Sequence, residues 1–333
     1  MALSAIISSV PGACVVQSFF HSLMAAAVAE IAVKSFGIRN PRSRQRLFLA
    51  VIVAPVVTVP AYLLAVPHRV SIPFRTAALF DSGRWLFLEA LGFLPVAAVL
   101  ALAFLVASLS FVFQELVPIL SQALRPAGPD GAARDGASDA AVREALARLP
   151  VTAPPVSIVD DEDLFIFSTT GKNASITLSS GLAAALPVDQ LRAALAHEIA
   201  HVTRSRLPLL PAVFFLRVVM FFNPVVLMAF RRAVQEDERI CDEIAIALTG
   251  DRVALADTLR TLYLGQAEPG PGGRGRSRSA LHLVEDMDRY SHRLNIESRI
   301  KGIGDESGAG DDGGWLAFAS SFAVIAALNY FIV

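Results

Sequence analysis

The chain is poor in charge and in cysteine. Only 18% of its 333 residues are Asp, Glu, Lys or Arg, against about 25% in ordinary soluble domains. The two signs nearly cancel, with 29 basic and 30 acidic side chains. Nothing in that balance supplies the positive field of a nucleic-acid binder, so no nucleic-acid partner is expected. Two cysteines, Cys14 and Cys241, lie far apart in apolar surroundings and suggest no disulfide framework. No Lys or Arg precedes the first apolar run, and that run is too long for a signal-peptide core, so a cleaved leader is not expected. What the chain has in surplus is apolar side chains, 54% of the total. That excludes a disordered chain, whose mark is low hydrophobicity, and makes lipid the first candidate to take up the excess.

Four stretches approach the ~20 apolar residues that a helix needs to cross a hydrocarbon core: 13–33, 47–66, 90–113 and 315–333. The first contains Gln17, His21 and Glu30; the second has no charge but carries Pro55 and Pro60, which should kink it. Ionisable groups inside a span can mark a proton or substrate path. The plainer expectation for this chain is that Glu30 reaches towards the interface and His21 packs within the bundle. Between the first two spans lie Lys34, Arg39, Arg42, Arg44 and Arg46 with no acid among them. The positive-inside rule assigns that loop to the cytoplasm. Span three then returns the chain to the cytoplasm near Gln114, and residues from about 121 to 312 follow on that side.

The composition changes at 123–138, a linker rich in Pro and Gly. Ser138 or Asp139 can cap a helix with Val142, Leu146 and Leu149 on one face. Val156-Ser-Ile-Val159 and Leu164-Phe-Ile-Phe167, separated by an acidic turn, read as strands, a hairpin or neighbours in a small sheet. Ala174-Ser-Ile-Thr-Leu178 is a third. Pro187 then punctuates the start of a helix with the apolar stripe Leu191, Ala194, Leu195 and Ile199.

That helix carries His197-Glu198-Ile-Ala-His201. Four residues apart, the two imidazoles project from one face and can chelate one ion. Glu198 is turned about 100° around the axis, beside the ion without ligating it, where it can take a proton from water. This is the HExxH arrangement of two zinc ligands and a general base. With six His in the chain, composition alone would produce it about 0.004 times. Zinc needs a third protein ligand and an open position, one ion per chain. The segment Glu236-Asp-Glu-Arg-Ile-Cys-Asp242-Glu reads as a helix with Glu238 and Asp242 on one face. One of these carboxylates can reach the metal while the other accepts the outer N–H of a ligating histidine. Cys241 is a soft alternative ligand, although packing in the helix core suits it better. Run 207–230 is apolar apart from Arg217. A single crossing there would separate His201 from Glu238, so the run must turn back near Asn223-Pro224, pack in a core or lie along the surface.

Ala194-Leu-Ala-His-Glu-Ile-Ala-His201, Phe222-Asn-Pro-Val225 and Glu238-Arg-Ile-Cys-Asp-Glu243, in that order, resemble the BlaR/MecR-type integral membrane zinc metallopeptidases. More distantly they are similar to the HtpX and CAAX-prenyl-protease metallopeptidases. The resemblance covers roughly 150–302. It implies a gluzincin-like zinc endopeptidase of a bacterial inner membrane, with His197, His201 and Glu238 as metal ligands, Glu198 as base and Asp242 as the partner that steadies a ligand. An extracellular penicillin-binding sensor domain is not expected here, so β-lactam sensing does not carry over.

The expected fold is α+β, mainly helical with a small sheet: a multi-span helix bundle joined to a cytoplasmic zinc peptidase domain. Its layout is a membrane region at 1–122, the linker 123–138, the peptidase domain at 139–304 including a membrane-associated segment 207–230, a linker at 305–314 and a last span at 315–333. The expected activity is hydrolysis of peptide bonds in a cytoplasmic or membrane protein, with an edge strand from 156–178 pairing the substrate. Arg299, His282 and His292 are candidates for stabilising the oxyanion. The basic loop 265–279 reads as a linker, with lipid contact or self-cleavage as functional alternatives. The rival class is a membrane signalling or partner-binding subunit whose zinc site is structural or inactive.

Overall fold

The computed structural model describes residues 10–78, 80–90, 92–117, 134–135, 139–169, 171, 173–204, 209–264, 280–304 and 314–333. The linker 123–138 apart from 134–135, the loop 265–279 and residues 305–313 lie outside them. In chain order the principal elements are α1 (Val10–Ser35), α2 (Pro41–Ala65), α3 (Val96–Phe111), β1 (Arg134–Asp135), α4 (Ala140–Ala147), β2 (Val156–Val159), β3 (Ile166–Thr169), β4 (Ser175–Ser179), α5 (Ser180–Ala185), α6 (Val188–Arg204), α7 (Leu209–Val219), α8 (Pro224–Thr249), α9 (Arg252–Leu259), α10 (Ala280–Gly304) and α11 (Gly314–Tyr330). The fold class is α+β, mainly helical with a small sheet. The chain divides into two compact units. One holds Met1–Pro126, Leu209–Glu236 and Ala309–Val333; the other holds Ala127–Pro208 and Asp237–Gly308.

In the first unit three helical stretches, Pro11–Ser35, Pro41–Tyr62 and Val96–Leu116, are long and apolar enough to cross a membrane. Ala25, Ala29 and Ala32 form a stripe of small buried residues on α1, packed with Leu47, Val51, Ile52 and Ala54 of α2. Small side chains let helix backbones approach closely where burial from water is not the driving force. On α3, by contrast, Val99, Leu102, Leu105 and Val106 are exposed, a face suited to lipid. Helix α2 begins six residues before the expected span because Asn40 caps it, its Oδ1 accepting from the N–H groups of Arg42 and Ser43. Helix α3 begins later than expected because Glu89–Ala90 pairs back on Leu94–Pro95 around Gly92, whose φ of +77° is left-handed. Glu30 forms an ion pair with Arg232, and buried His21 sets Nδ1 2.8 Å from Thr58 Oγ1.

The fourth expected span is α11, an apolar helix of 17 residues, at the lower limit for crossing. Of the run 207–230, the described residues from 209 onward form one helix and the start of a second. Helix α7 has 11 residues, about 16 Å of rise against a hydrocarbon core of about 30 Å. Asn223 starts α8, its Oδ1 accepting from the N–H of Val225 at 3.0 Å and Val226 at 3.4 Å, with Pro224 at a position that needs no donor. Leu209–Glu236 groups with the apolar helices in the first compact unit, whereas the expected layout counted 207–230 as a membrane-associated segment of 139–304. Val213, Met220, Val226, Ala229 and Ala233 bury their side chains in the same cluster as α1 and α2.

The second unit is built around a sheet in the order β1-β2-β4-β3. Strands β2 and β3 are not neighbours, against the hairpin expectation, because β4 lies between them, parallel to β2 and antiparallel to β3. Strand β3 also starts two residues later than the expected Leu164. The N–H of Phe165 donates to Ser179 Oγ and its carbonyl accepts from Ser179 N–H, which holds the preceding turn. Ile158, Ile176 and Leu178 meet Val142 and Ala145 of α4 and Leu191 and Leu195 of α6 in one core. Asp139 caps α4, its Oδ1 accepting from Ala141 and Val142 N–H. Strand β3 is left as the sheet's edge.

Candidate metal centre

Helix α6 is held by its apolar stripe. Leu191, Ala194, Leu195 and Ile199 are buried, which fixes its rotation and turns His197 and His201 together towards the second half of α8. Their ring centroids lie 4.7 Å apart and their Nε2 atoms 3.1 Å apart. At the end of α6, Arg204 reaches Asp237 of α8, with Nε 3.1 Å from Oδ1. All of these residues lie within the second unit.

Glu238, one residue beyond Asp237, spreads its carboxylate across both rings. Oε2 is 3.6 Å from His197 Nε2 and Oε1 is 3.5 Å from His201 Nε2. Three donors on a tetrahedral ion with bonds of about 2.0–2.2 Å stand about 3.3–3.6 Å from one another. The separations here, 3.1 Å between the nitrogens and 3.5 and 3.6 Å from each nitrogen to a different oxygen of the carboxylate, are near that size. The donor chemistry also suits zinc, which accepts imidazole and carboxylate. A second set of donors, His201, Asp237 and Cys241, shares His201 with the first; its Asp237 is engaged by Arg204.

Behind the donors stands a buried charge network. His197 turns Nδ1 to Asp242 Oδ1 at 3.1 Å. Asp242 is gripped by Arg299, whose Nη1 also reaches Glu238 Oε2 at 2.9 Å. Burial works against a charge on His197, but Asp242 and Glu238 outweigh it and lift the metal-free imidazole to about 9. Burial would raise Glu238, yet His197 and Arg299 hold it at about 2. Asp242 is held below the usual carboxylate range, against its burial, by His197 and Arg299. Burial, helped by the charge on His197, pushes His201 down. Burial pushes the Cys241 thiol up, with Asp237 and Glu238 adding to the effect.

Glu198 lines a cleft with His197, Ile166 of β3, Tyr263 and Arg299; its water-accessible space is ≈ 20 Å³, about that of one water. The structure thus brings together His197, Glu198, His201, Glu238, Asp242 and Arg299. His292 is exposed and sits edge-on to Tyr263, with ring centroids 5.5 Å apart. The side chain of His282 lies outside the described residues. Tyr263 had no signal in the sequence: it belongs to no motif, and only the π-helical turn Arg260–Leu264 carries it to the cleft.

Residues 132–267 match the model of peptidase family M48. The matched stretch contains His197, Glu198, His201, Glu238 and Asp242, and it supports a metallopeptidase. Comparison with curated proteins and with solved structures finds no match.

Proposed function

We propose that this chain is a membrane-embedded zinc endopeptidase of the BlaR/MecR type that hydrolyses peptide bonds of a cytoplasmic or membrane protein in regulatory proteolysis. The observation that carries this reading is the triangle of donors formed by His197 Nε2, His201 Nε2 and the Glu238 carboxylate, the two nitrogens 3.1 Å apart, Oε1 3.5 Å from His201 and Oε2 3.6 Å from His197, with Glu198 in the adjoining cleft. The M48 match over the same residues supports it, as do three helices of membrane-crossing length and composition.

His197, His201 and Glu238 would hold the ion. Zinc bound there supplies Lewis-acid polarisation of the scissile carbonyl and eases deprotonation of water. Glu198 accepts the proton of the attacking water and hands it to the leaving amine. The edge of β3, whose Ile166 borders the cleft, pairs with an extended substrate through main-chain hydrogen bonds. Asp242 orients His197, and Arg299 keeps Asp242 and Glu238 charged and aligned. With its guanidinium committed to two carboxylates, Arg299 serves the ligands rather than the oxyanion. Five basic residues without an acid in loop 34–46 favour a cytoplasmic site, and the family resemblance favours a bacterial inner membrane.

Glu198→Gln tests the assignment. The variant is expected to keep its zinc and to lose at least ~100-fold in cleavage of casein. Undiminished cleavage by zinc-loaded Glu198→Gln would remove the endopeptidase reading.

A further inference from the structure

We propose that the Cys241 thiol is the positioning partner of His201, accepting the ring's Nδ1–H. The two histidines of one site are then steadied by unlike groups, a carboxylate and a thiol. This inference rests on the zinc site proposed above.

Helix α8 spaces Glu238, Cys241 and Asp242 at i, i+3 and i+4, so all three share one face. Each meets a different part of the histidine pair. Glu238 faces both Nε2 atoms; Asp242 faces His197 Nδ1 at 3.1 Å; Cys241 Sγ lies 3.5 Å from His201 Nδ1. Because His201 turns Nε2 to the donor triangle, a neutral ring that ligates through Nε2 must carry its hydrogen on Nδ1. That hydrogen points to sulfur. Sγ faces the nitrogen on the far side of the ring from the triangle, so it orients the ligand without joining the donor set. Asp237, a carboxylate that lies within 4.8 Å of the same His201 and Cys241 pair, is engaged by Arg204. Cys241 is fully buried, which keeps water from competing for the N–H.

A ligating histidine normally donates its outer N–H to a carboxylate, a carbonyl or water, and the acceptor fixes tautomer and orientation and raises ligand basicity. Sulfur is a weak acceptor. His201 is therefore held in place with little gain in basicity, whereas His197, against Asp242, gains both. The asymmetry makes His201 the weaker of the two nitrogen ligands.

The test uses the full-length chain in detergent, stripped of metal, then titrated with Zn2+ against a chromogenic chelator and separately with Co2+. Cys241→Val keeps an apolar packing group but no acceptor; Cys241→Ser keeps an acceptor. The Val variant is expected to bind Zn2+ about tenfold more weakly and to alter the visible Co2+ bands, while the Ser variant stays within about twofold of wild type. If the Val variant does not fold, Cys241→Ala makes the same comparison. Wild-type affinity and Co2+ bands in the acceptor-free variant, or equal weakening in both variants, would overturn the proposal and leave the zinc site standing. A wild-type chain that binds neither ion would remove the zinc site and this inference with it.

Discussion

Arg299 holds Asp242 by two parallel hydrogen bonds, Nε to Oδ2 at 2.8 Å and Nη2 to Oδ1 at 2.7 Å. Both side chains are buried, 8% and 3% exposed, and the planar fork of the guanidinium matches the carboxylate in a way an ammonium does not. The third nitrogen of the same group reaches Glu238. One cation on α10 thus aligns both the carboxylate that faces the two Nε2 atoms and the one that faces His197 Nδ1.

Arg299→Ala would take from the buried Asp242 its bidentate partner and leave it only the contact with His197. Removing one member of such a pair costs about 3–5 kcal/mol, which denaturant unfolding of the metal-free chain would read. Arg299→Lys keeps the charge and loses the fork, and zinc affinity is expected to fall at least ~10-fold by chelator competition. An Arg299→Ala chain as stable as wild type, with unchanged zinc affinity, would contradict the clamp.

Stability of the metal-free chain should depend on pH with a definite sign. His197 is raised from 6.5 to about 9 on folding, so its contribution is complete below about 6.5 and is lost as pH rises through about 9. Glu238, lowered to about 2, and Asp242, also lowered, contribute above the ordinary carboxylate range and lose their contribution in acid. The unfolding midpoint is expected to be highest at about pH 5–6 and to decline towards pH 9. Asp242→Asn should flatten that alkaline decline. A midpoint that rose between pH 6.5 and 9 would contradict the pairing of His197 with the two carboxylates.

Much of the site is legible because its spacings are local. A separation of four positions from His197 to His201, and of four from Glu238 to Asp242, puts each pair on one helix face whatever the rest of the chain does. The apolar stripe of α6 and the Asp139 cap are read the same way. What the sequence hides is long-range. Nothing near residue 299 shows that its side chain meets residue 242, and nothing near Cys241 shows which atom it faces. Strands β2 and β3 look like a hairpin because they are adjacent in sequence, whereas parallel pairing of β2 with β4 fills the space between them. The segment 209–230 shows a related limit: apolarity marks it as buried without naming the partner, and that partner is the cluster of α1 and α2.

If β3 receives an extended substrate, its backbone amides should matter more than its side chains. Fluorogenic peptides carrying one N-methylated amide at successive positions are expected to show KM raised up to about tenfold at alternate positions, the size of one lost hydrogen bond. A uniform response along the peptide would argue against pairing at the β3 edge.

The most direct measurement is zinc-edge X-ray absorption on the full-length chain loaded with one equivalent of Zn2+. With His197, His201 and Glu238 as ligands, the ion should be surrounded only by nitrogen and oxygen at about 2.0–2.2 Å, with the outer-shell scattering of two imidazoles. His197→Ala should abolish stoichiometric binding. A sulfur neighbour at about 2.3 Å, or a wild-type chain that retains no zinc, would contradict the three-ligand site.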